Sequence, residues 1–188
     1  MRRLKLKVIT PPATEPLTLS EAKSYLRISG TDDDTIMSSL IAQAREYCEG
    51  YQGRKYTTQT LEAFLDRFSC GSIEFRDCSP VQSITSITYT DKDGRDATIA
   101  AADYNFDEVS FVNKIDLAYG KTWPAVELKP TNGIKITFVA GYKTVPESVK
   151  WAMVLHMKLL YDDYKPDEQE KMERARDALL SMNRVVPV

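Results

Sequence analysis

The spacing of apolar residues between positions 17 and 56 predicts a pair of helices joined by an acidic turn. Thr18 stands three residues before Glu21. At that spacing a threonine hydroxyl and a glutamate carboxylate can each bind an unpaired amide in the first turn of a helix. A short helix is therefore expected to begin near Leu19, and Ser29-Gly30 is expected to end it with a left-handed residue.

A second, longer helix is predicted to open at Thr31, whose hydroxyl can cap it while the aspartates that follow face the positive end of the helix dipole. Apolar residues then recur at three- and four-residue spacing over about four turns, which is typical of a helix with one buried stripe. Gly50 and Gly53 are expected to end this helix. The predicted stripe is Ile36, Met37, Leu40, Ile41, Ala44, Tyr47, Cys48 and Tyr51, opposite a polar face of Ser39, Gln43, Arg45, Glu46 and Glu49.

From residue 57 to residue 142 the apolar period changes from helical to alternating, which predicts an inserted antiparallel β region. Residues 91–94 have the composition of a hairpin turn. The segment 133–141 alternates between two glycines and is the strongest candidate strand. The other predicted strands are 57–68, 73–76, 81–89, 98–99, 103–106 and 114–117.

Residues 1–10 also alternate, which predicts an N-terminal strand with one wet face. Three prolines between positions 11 and 16 prevent further ladder pairing, so the region 1–16 is expected to be a strand followed by an extended arm. Such a strand can pair within its own chain or with the sheet edge of a neighbour. The sequence leaves both alternatives open.

Helical periodicity returns over residues 145–182, which predicts two C-terminal helices. The first, opening at Val145-Pro146-Glu147, is apolar on nearly all sides and is expected to lie at the centre of the core. Pro166 is expected to break it and Asp167 to start the last helix. That helix has a thin apolar seam of Met172, Ala175, Leu179 and Met182. The tail, 183–188, is expected to gain little by folding back on its own chain.

Together these elements predict one α+β unit over residues 1–188, with a helical core and an inserted antiparallel β region at 57–142. The core consists of the helix pair at 17–56 and the C-terminal helices at 145–182. The apolar fraction of 43% and charged fraction of 28% are ordinary for a folded domain. No apolar stretch approaches membrane-spanning length, and the basic start leads into prolines rather than a signal-peptide core. A net charge of -2 argues against a dedicated nucleic-acid binder.

Few residues could carry catalysis. Asp32, Asp33 and Asp34 could bind a divalent cation, but they lack the alternating oxygen ligands of an EF-hand loop, so a helix-dipole role is favoured. The single histidine, His156, lies in the most apolar helix, where a hydrogen-bonded core or interface role is the usual one. No hydrolase, nucleotide-binding or zinc-protease motif occurs. We therefore predict no catalytic residue, no cofactor and no metal ligand.

The three cysteines, Cys48, Cys70 and Cys78, are odd in number and lack the close paired spacing of a zinc site. Reduced, partly buried thiols are expected. Two other functions stay open: a small metal-dependent enzyme using Asp32–Asp34 with His156, and a β-sheet module that binds carbohydrate or peptide. The second rests on three aromatic residues of the β region, namely Tyr104, Tyr119 and Trp123.

The order of elements and a series of local phrases resemble the head-tail connector (adaptor) family of tailed bacteriophages. The series covers most of the chain as far as about Tyr164, and it is specific as a series although each phrase alone is weak. The phrases are VITPP at 8–12, EPLTLSEAK at 15–23, LRI at 26–28, TDDD at 31–34, AQAREYCEGYQGR at 42–54, PVQSITSITY at 80–89, YGKTWP at 119–124 and VAGY at 139–142.

The resemblance implies a structural virion protein rather than an enzyme. Twelve identical subunits would form a ring beneath the portal, join the capsid to the tail and leave a channel through which DNA passes without sequence recognition. The implied partners are the portal protein and a stopper or tail-completion protein, with no membrane. The implied location is the head-tail interface of the virion, after assembly in the host cytoplasm.

Two sets of contact residues follow as expectations. The apolar end of the chain is expected to dock on another protein, and the resemblance makes the portal its partner. That set is Leu180, Met182, Asn183, Arg184, Val185, Val186, Pro187 and Val188. Apolar positions of the N-terminal strand and of the second helix are expected at the interface between subunits. That set is Leu4, Leu6, Val8, Tyr47 and Tyr51.

Overall fold

A computed structural model describes residues 4–68 and 71–185 of the chain. In these residues, four α-helices, one short 3-10 helix and eight strands follow one another in a mixed order, so the fold is α+β as predicted. The helices are α1 (Leu19–Leu26), α2 (Asp34–Gln52), α3 (Glu147–Tyr161) and α4 (Pro166–Ser181). The strands are β1 (Lys5–Thr10), β2 (Gln59–Leu65), β3 (Ile73–Glu74), β4 (Val81–Thr90), β5 (Asp96–Thr98), β6 (Tyr104–Asp107), β7 (Lys114–Leu117) and β8 (Ile134–Ala140).

The chain divides into two compact units. One, which we call the β unit, contains the described residues of 1–13 together with 58–142. The other, the helical unit, contains residues 14–57 and 143–185 of the described chain. The β region therefore interrupts the helical part, as the change of apolar period predicts. The N-terminal strand belongs to the β unit.

The β unit contains two antiparallel sheets. One has five strands in the order β1-β2-β8-β4-β5, and the other has three in the order β3-β7-β6. β8 lies in the middle of the larger sheet, and its alternating residues Ile134, Ile136 and Phe138 are fully buried. Phe138 meets Phe75 with the ring centroids 4.8 Å apart. Burial of these side chains between the sheets forms the core of this unit.

The N-terminal strand pairs within its own chain. β1 runs antiparallel to β2, with Leu6 opposite Ala63 and Val8 opposite Leu61. The register then shifts, so Thr10 lies opposite Thr60 and Ile9 is an extra residue in a β-bulge. This pairing decides between the two alternatives that the sequence leaves open.

The first helix begins as predicted but ends earlier. Thr18 caps α1 through a complete capping box with Glu21. The left-handed residue at its C-terminus is Arg27, with φ 58°, rather than Gly30. Gly30 also has a positive φ, 88°, but it lies in the turn that follows. The expectation that Ser29-Gly30 ends the helix is therefore wrong.

The second helix differs from expectation at both ends. Thr31 does not cap α2, because the N-cap residue is Asp33 and it makes no side-chain cap bond. Gly53, with φ 66°, ends the helix, whereas Gly50 lies inside it. Ile36 belongs to the stripe that was predicted to be buried, but it is 54% exposed, so the prediction is wrong at this residue.

The C-terminal helices also differ in detail. Pro166 does not break α3, which ends at Tyr161; it is the first residue of α4, where a missing N–H costs no helical bond. α3 is not buried all round, since Trp151 is 48% exposed. In α4 the buried residues are Arg176 and Leu180, while Ala175 of the predicted seam is exposed.

A glycine before β8 provides a test of the packing in the β unit. A Cβ atom added at Gly133 would lie 2.8 Å from the backbone oxygen of Lys129 and 3.0 Å from the Cβ of Leu128. Because backbone cannot give way as a side chain can, Gly133→Ala should lower the free energy of unfolding by about 1 to 3 kcal/mol. Gly71→Ala, with open space around it, is the matched control. Equal urea midpoints for the two variants would contradict this packing.

Candidate functional surfaces

The described C-terminal residues, as far as Val185, lie on α2 of their own helical unit. Three contacts hold them there. The Nε2 of Gln52 donates to the backbone oxygen of Leu180 at 2.7 Å, and the backbone N–H of Val185 donates to the oxygen of Gln52 at 2.9 Å. The Nε of Arg54 donates to the backbone oxygen of Asn183 at 2.8 Å. Leu180 is fully buried and Val185 is 7% exposed.

The expectation that the tail gains little by folding back is therefore wrong for its described part. Leu180 and Val185 are buried within the helical unit, so they are not available to a partner in this conformation. Met182, by contrast, is 71% exposed. Val186, Pro187 and Val188 lie outside the described residues. The apolar pattern of the sequence did not predict this docking, because the residues that contact the tail, Gln52 and Arg54, are polar and distant in the sequence.

Gln52 is the centre of this arrangement. Besides the contacts of Gln52 with Leu180 and Val185, its Oε1 accepts a hydrogen bond from the Tyr56 hydroxyl at 2.7 Å. Gln52 and Tyr56 are both fully buried. A buried amide and a buried phenol are stable only when they are hydrogen-bonded, and here each finds partners that fit.

One turn earlier, Glu49 is buried as well, although the sequence places it on the polar face. Its carboxylate accepts from the backbone N–H of Tyr56 at 2.8 Å and from the Nζ of Lys55 at 3.0 Å. Arg45 lies 3.5 Å from the same carboxylate and pairs more closely, at 2.7 Å, with Glu15. Burial of the charge is tolerated because two cations and an amide surround it.

The tyrosines predicted at a subunit interface are covered by cations of their own chain. The guanidinium of Arg176 lies 4.6 Å from the ring centre of Tyr47, and that of Arg184 lies 4.7 Å from the ring centre of Tyr51. The imidazole of His156 also stacks on Tyr47, with the centroids 4.0 Å apart. Tyr47 remains 38% exposed, so an edge of it can still meet another subunit, and its interface role stays a prediction.

His156 is a core residue held by Arg176. It is 8% exposed, and its Nδ1 lies 3.1 Å from a terminal nitrogen of Arg176. Because a guanidinium can only donate, Nδ1 must accept and the ring proton is on Nε2. Burial, and then the charge of Arg176, lower the pKa of His156 from 6.5 to about 4. This neutral ring fits the hydrogen-bonded core role that the sequence favours.

The aspartates at the start of α2 have partners in the helical unit. The Tyr161 hydroxyl donates to Asp33 at 2.9 Å, and Asp34 pairs with Lys23. Asp32 is exposed. Across residues 4–68 and 71–185, no group of three or more His, Cys, Asp or Glu side chains is arranged to hold a metal ion. In the same part of the chain, no helix is long and apolar enough to cross a membrane.

Cys48 and Cys78 are both buried, and burial raises the pKa of the Cys48 thiol to about 12. Cys70 lies outside the described residues. The Cys48 thiol is therefore shielded and weakly nucleophilic at neutral pH.

The predicted contact residues near the N-terminus divide into two kinds. Leu4 and Leu6 pack against the core of their own β unit, whereas Val8 is 49% exposed. Elsewhere in this unit Val109 is 90% exposed. The three aromatic residues of the alternative ligand-binding hypothesis are not alike: Trp123 stacks on Phe68 at 4.7 Å and Tyr104 packs on the core, while Tyr119 is fully exposed.

Comparison with known proteins identifies the family. Residues 16–111, more than half of the chain, match the family model described as phage gp6-like head-tail connector protein. The chain belongs to this family. The resemblance found in the sequence is thereby confirmed, and the protein is a connector of the bacteriophage type. No curated protein matches the chain.

Solved structures with the same fold come from gene transfer agent (GTA) particles. The connector superimposes with a TM-score of 0.79 on a chain of the neck of an empty GTA particle computed with C6 symmetry, at 20% identity over 98% of this chain and 97% of that one. A chain of the native GTA virion gives 0.77 at 19% identity over 97% and 96%. A chain of the native neck computed with C12 symmetry gives 0.74 at 18% over 98% and 97%.

Removal of the tail tests its docking on α2. Deletion of Asn183 to Val188 from the connector should lower the free energy of unfolding by about 2 to 4 kcal/mol. The burial of Val185, the bond that its N–H donates to the backbone oxygen of Gln52 and the bond that Arg54 donates to Asn183 are all lost. Met182→Ala, at an exposed position of the same segment, should change it by about 0.5 kcal/mol or less. An unchanged thermal midpoint after the deletion would rule out this docking.

The low pKa of His156 predicts a pH dependence. The folded connector keeps the ring neutral down to about pH 4, whereas the unfolded ring takes up its proton near pH 6.5. Between these pH values the unfolded state binds more protons than the folded state. The contribution of the neutral His156 ring to folding stability is therefore complete above pH 6.5 and is lost as the pH falls toward 4. Between pH 7 and pH 5 the native protein should lose about 1 to 2 kcal/mol more than His156→Gln. Urea unfolding measures this difference. An equal loss of stability between pH 7 and pH 5 in the two proteins would refute the low pKa of His156.

Proposed function

We propose that the connector is a structural subunit of a virion neck, and that copies of it form a closed ring of twelve beneath the portal. The ring joins the capsid to the tail and leaves a channel for DNA. The observation that carries the proposal is the family match over residues 16–111. Similarity of fold to chains from necks computed with C6 and C12 symmetry supports a ring.

The chemistry of the described residues is consistent with this role. His156 and Cys48, the side chains whose pKa values shift to about 4 and about 12, are buried in the helical unit. Polar burial at Glu49 and Gln52 holds segments of the chain together. These groups stabilise a fixed shape, which is what a ring subunit requires of them.

The portal is the proposed partner of the C-terminal segment, and a stopper or tail-completion protein is the proposed partner on the tail side. Within the segment, Met182 and Arg184 are exposed and can meet the portal while the tail stays docked. Leu180 and Val185 would contribute only if the tail left α2. Assembly in the host cytoplasm and incorporation into the virion complete the proposal.

Ring formation is the direct test. Purified connector should form closed rings visible by negative-stain microscopy when it is mixed with the portal protein of the same particle, because contacts between identical subunits through two unlike patches either close or grow into filaments. Light scattering should report the corresponding mass. A connector that remains monomeric in saturating portal would overturn the proposal.

The triple variant Asp32→Ala, Asp33→Ala, Asp34→Ala separates this function from metal-dependent catalysis. It should form rings as the native protein does, with a loss of stability of about 1 to 3 kcal/mol from the start of α2 and its two side-chain contacts. Calorimetry with Mg²⁺ and Ca²⁺ provides the second readout. Tight cation binding that the triple variant abolishes would favour the enzyme.

A further inference from the structure

The loop between β6 and β7 is held in one shape and carries an apolar tip. Asp107 accepts hydrogen bonds from the backbone N–H groups of Val109 and Ser110, at 3.1 and 3.0 Å, and from the Ser110 hydroxyl at 2.6 Å. The buried Asn113 closes the other end, donating to the backbone oxygen of Asp107 at 3.2 Å. These bonds order the loop in the free protein, so binding to a partner would cost little further conformational entropy.

The tip presents one exposed apolar side chain beside one carboxylate that has no cation. Val109 is 90% exposed on this hydrogen-bonded loop. Glu108 is exposed and forms no ion pair with any described residue. We call residues 108–110 the hairpin tip.

β1 offers the complementary surface at one edge of the larger sheet. Val8 is 49% exposed and Ile9, the bulged residue, is 44% exposed. Between them and Lys5 lies Lys7, which is exposed and has no carboxylate within ion-pair distance among the described residues. Lys5, in contrast, already pairs with Asp66 at 2.9 Å.

The edge is shaped to receive side chains rather than another strand. A bulge and a lysine are two features by which natural sheets prevent pairing at an edge. Ile9 forms the bulge and Lys7 supplies the charge. A partner at this edge would therefore bury Val8 and Ile9 and meet the charge of Lys7.

We propose that the hairpin tip of one connector binds the β1 edge of a second copy, with Val109 on Val8 and Ile9 and with Glu108 paired to Lys7. The occupant is assigned by complementarity: an apolar tip with an unpaired anion fits an apolar edge with an unpaired cation. Because the tip and the edge are different patches, their contact is head-to-tail and can close a ring. The inference rests on the proposed ring and names one of its contacts.

Charge reversal tests the pairing. Under conditions where native rings form, Glu108→Lys alone and Lys7→Glu alone should each raise the concentration needed for assembly by about tenfold, because like charges then meet at every contact. The combined variant should return close to the native value. Sedimentation velocity measures assembly, and the effects should shrink at high salt.

Mixing the two single variants is the sharper test. In an equimolar mixture, a Glu108→Lys copy can alternate with a Lys7→Glu copy, and every contact then joins opposite charges. Assembly should recover, although neither protein assembles well alone. Such rescue cannot come from a change of folding, which matters because Lys7 lies opposite Glu62 in the sheet and its reversal has a local cost.

Matched controls are Lys129→Glu, another exposed lysine of the β unit, and Val126→Ser, an apolar residue that is 44% exposed. Both should assemble as the native protein does, whereas Val109→Ser should not. Native rings that form equally well from every variant would overturn this contact while leaving the proposed function intact. Failure of the native protein to form rings with portal would overturn both.

Discussion

The hydrogen bonds of one buried amide connect the parts of the helical unit. Gln52 contacts Tyr56 on one side and the backbone of Leu180 and Val185 on the other, so the end of α2 and the end of α4 share a single polar centre. An unpaired amide in such a place would cost about 1 to 3 kcal/mol, which favours the native arrangement over any in which the end of α4 leaves Gln52. The charged cluster at Glu49 extends the same constraint along α2.

This constraint explains why the sequence predicts some features of the fold and not others. Local signals are reliable where neighbours along the chain decide the structure: the capping box at Thr18, the glycine at the end of α2 and the alternation of β8 all appear as predicted. Burial of Glu49, Gln52 and Arg176 was not predicted, since each is polar and is stabilised by partners far away in the sequence. Arg27 shows a further limit. No local sequence pattern indicates that Arg27 rather than the nearby Gly30 takes the left-handed conformation that ends α1.

The candidate surfaces also combine features that local sequence predicts with features that depend on contacts distant in the sequence. Periodicity placed Leu6 and Val8 on one face of the N-terminal strand, but only the pairing with β2 distinguishes a residue buried in its own core from one at an exposed edge. The aromatic residues Tyr47 and Tyr51 form a stripe on α2 as predicted. Their faces are nonetheless occupied by Arg176 and Arg184, which lie far away in the sequence. Family membership, in contrast, could be inferred from short phrases along the chain, because it depends on their order rather than on three-dimensional contacts.

In the proposed function, the connector performs its role through its shape and its contacts with other subunits. Its buried polar contacts hold the helical unit together, and its inserted β unit presents the hydrogen-bonded loop between β6 and β7 and an edge strand with a bulge. The most direct test of this account is a cryo-electron microscopy reconstruction of the neck of the complete particle. Twelve copies of this chain are expected in one ring between the portal and the tail, around an open channel. A neck without this chain, or with single copies that make no contact with one another, would contradict it.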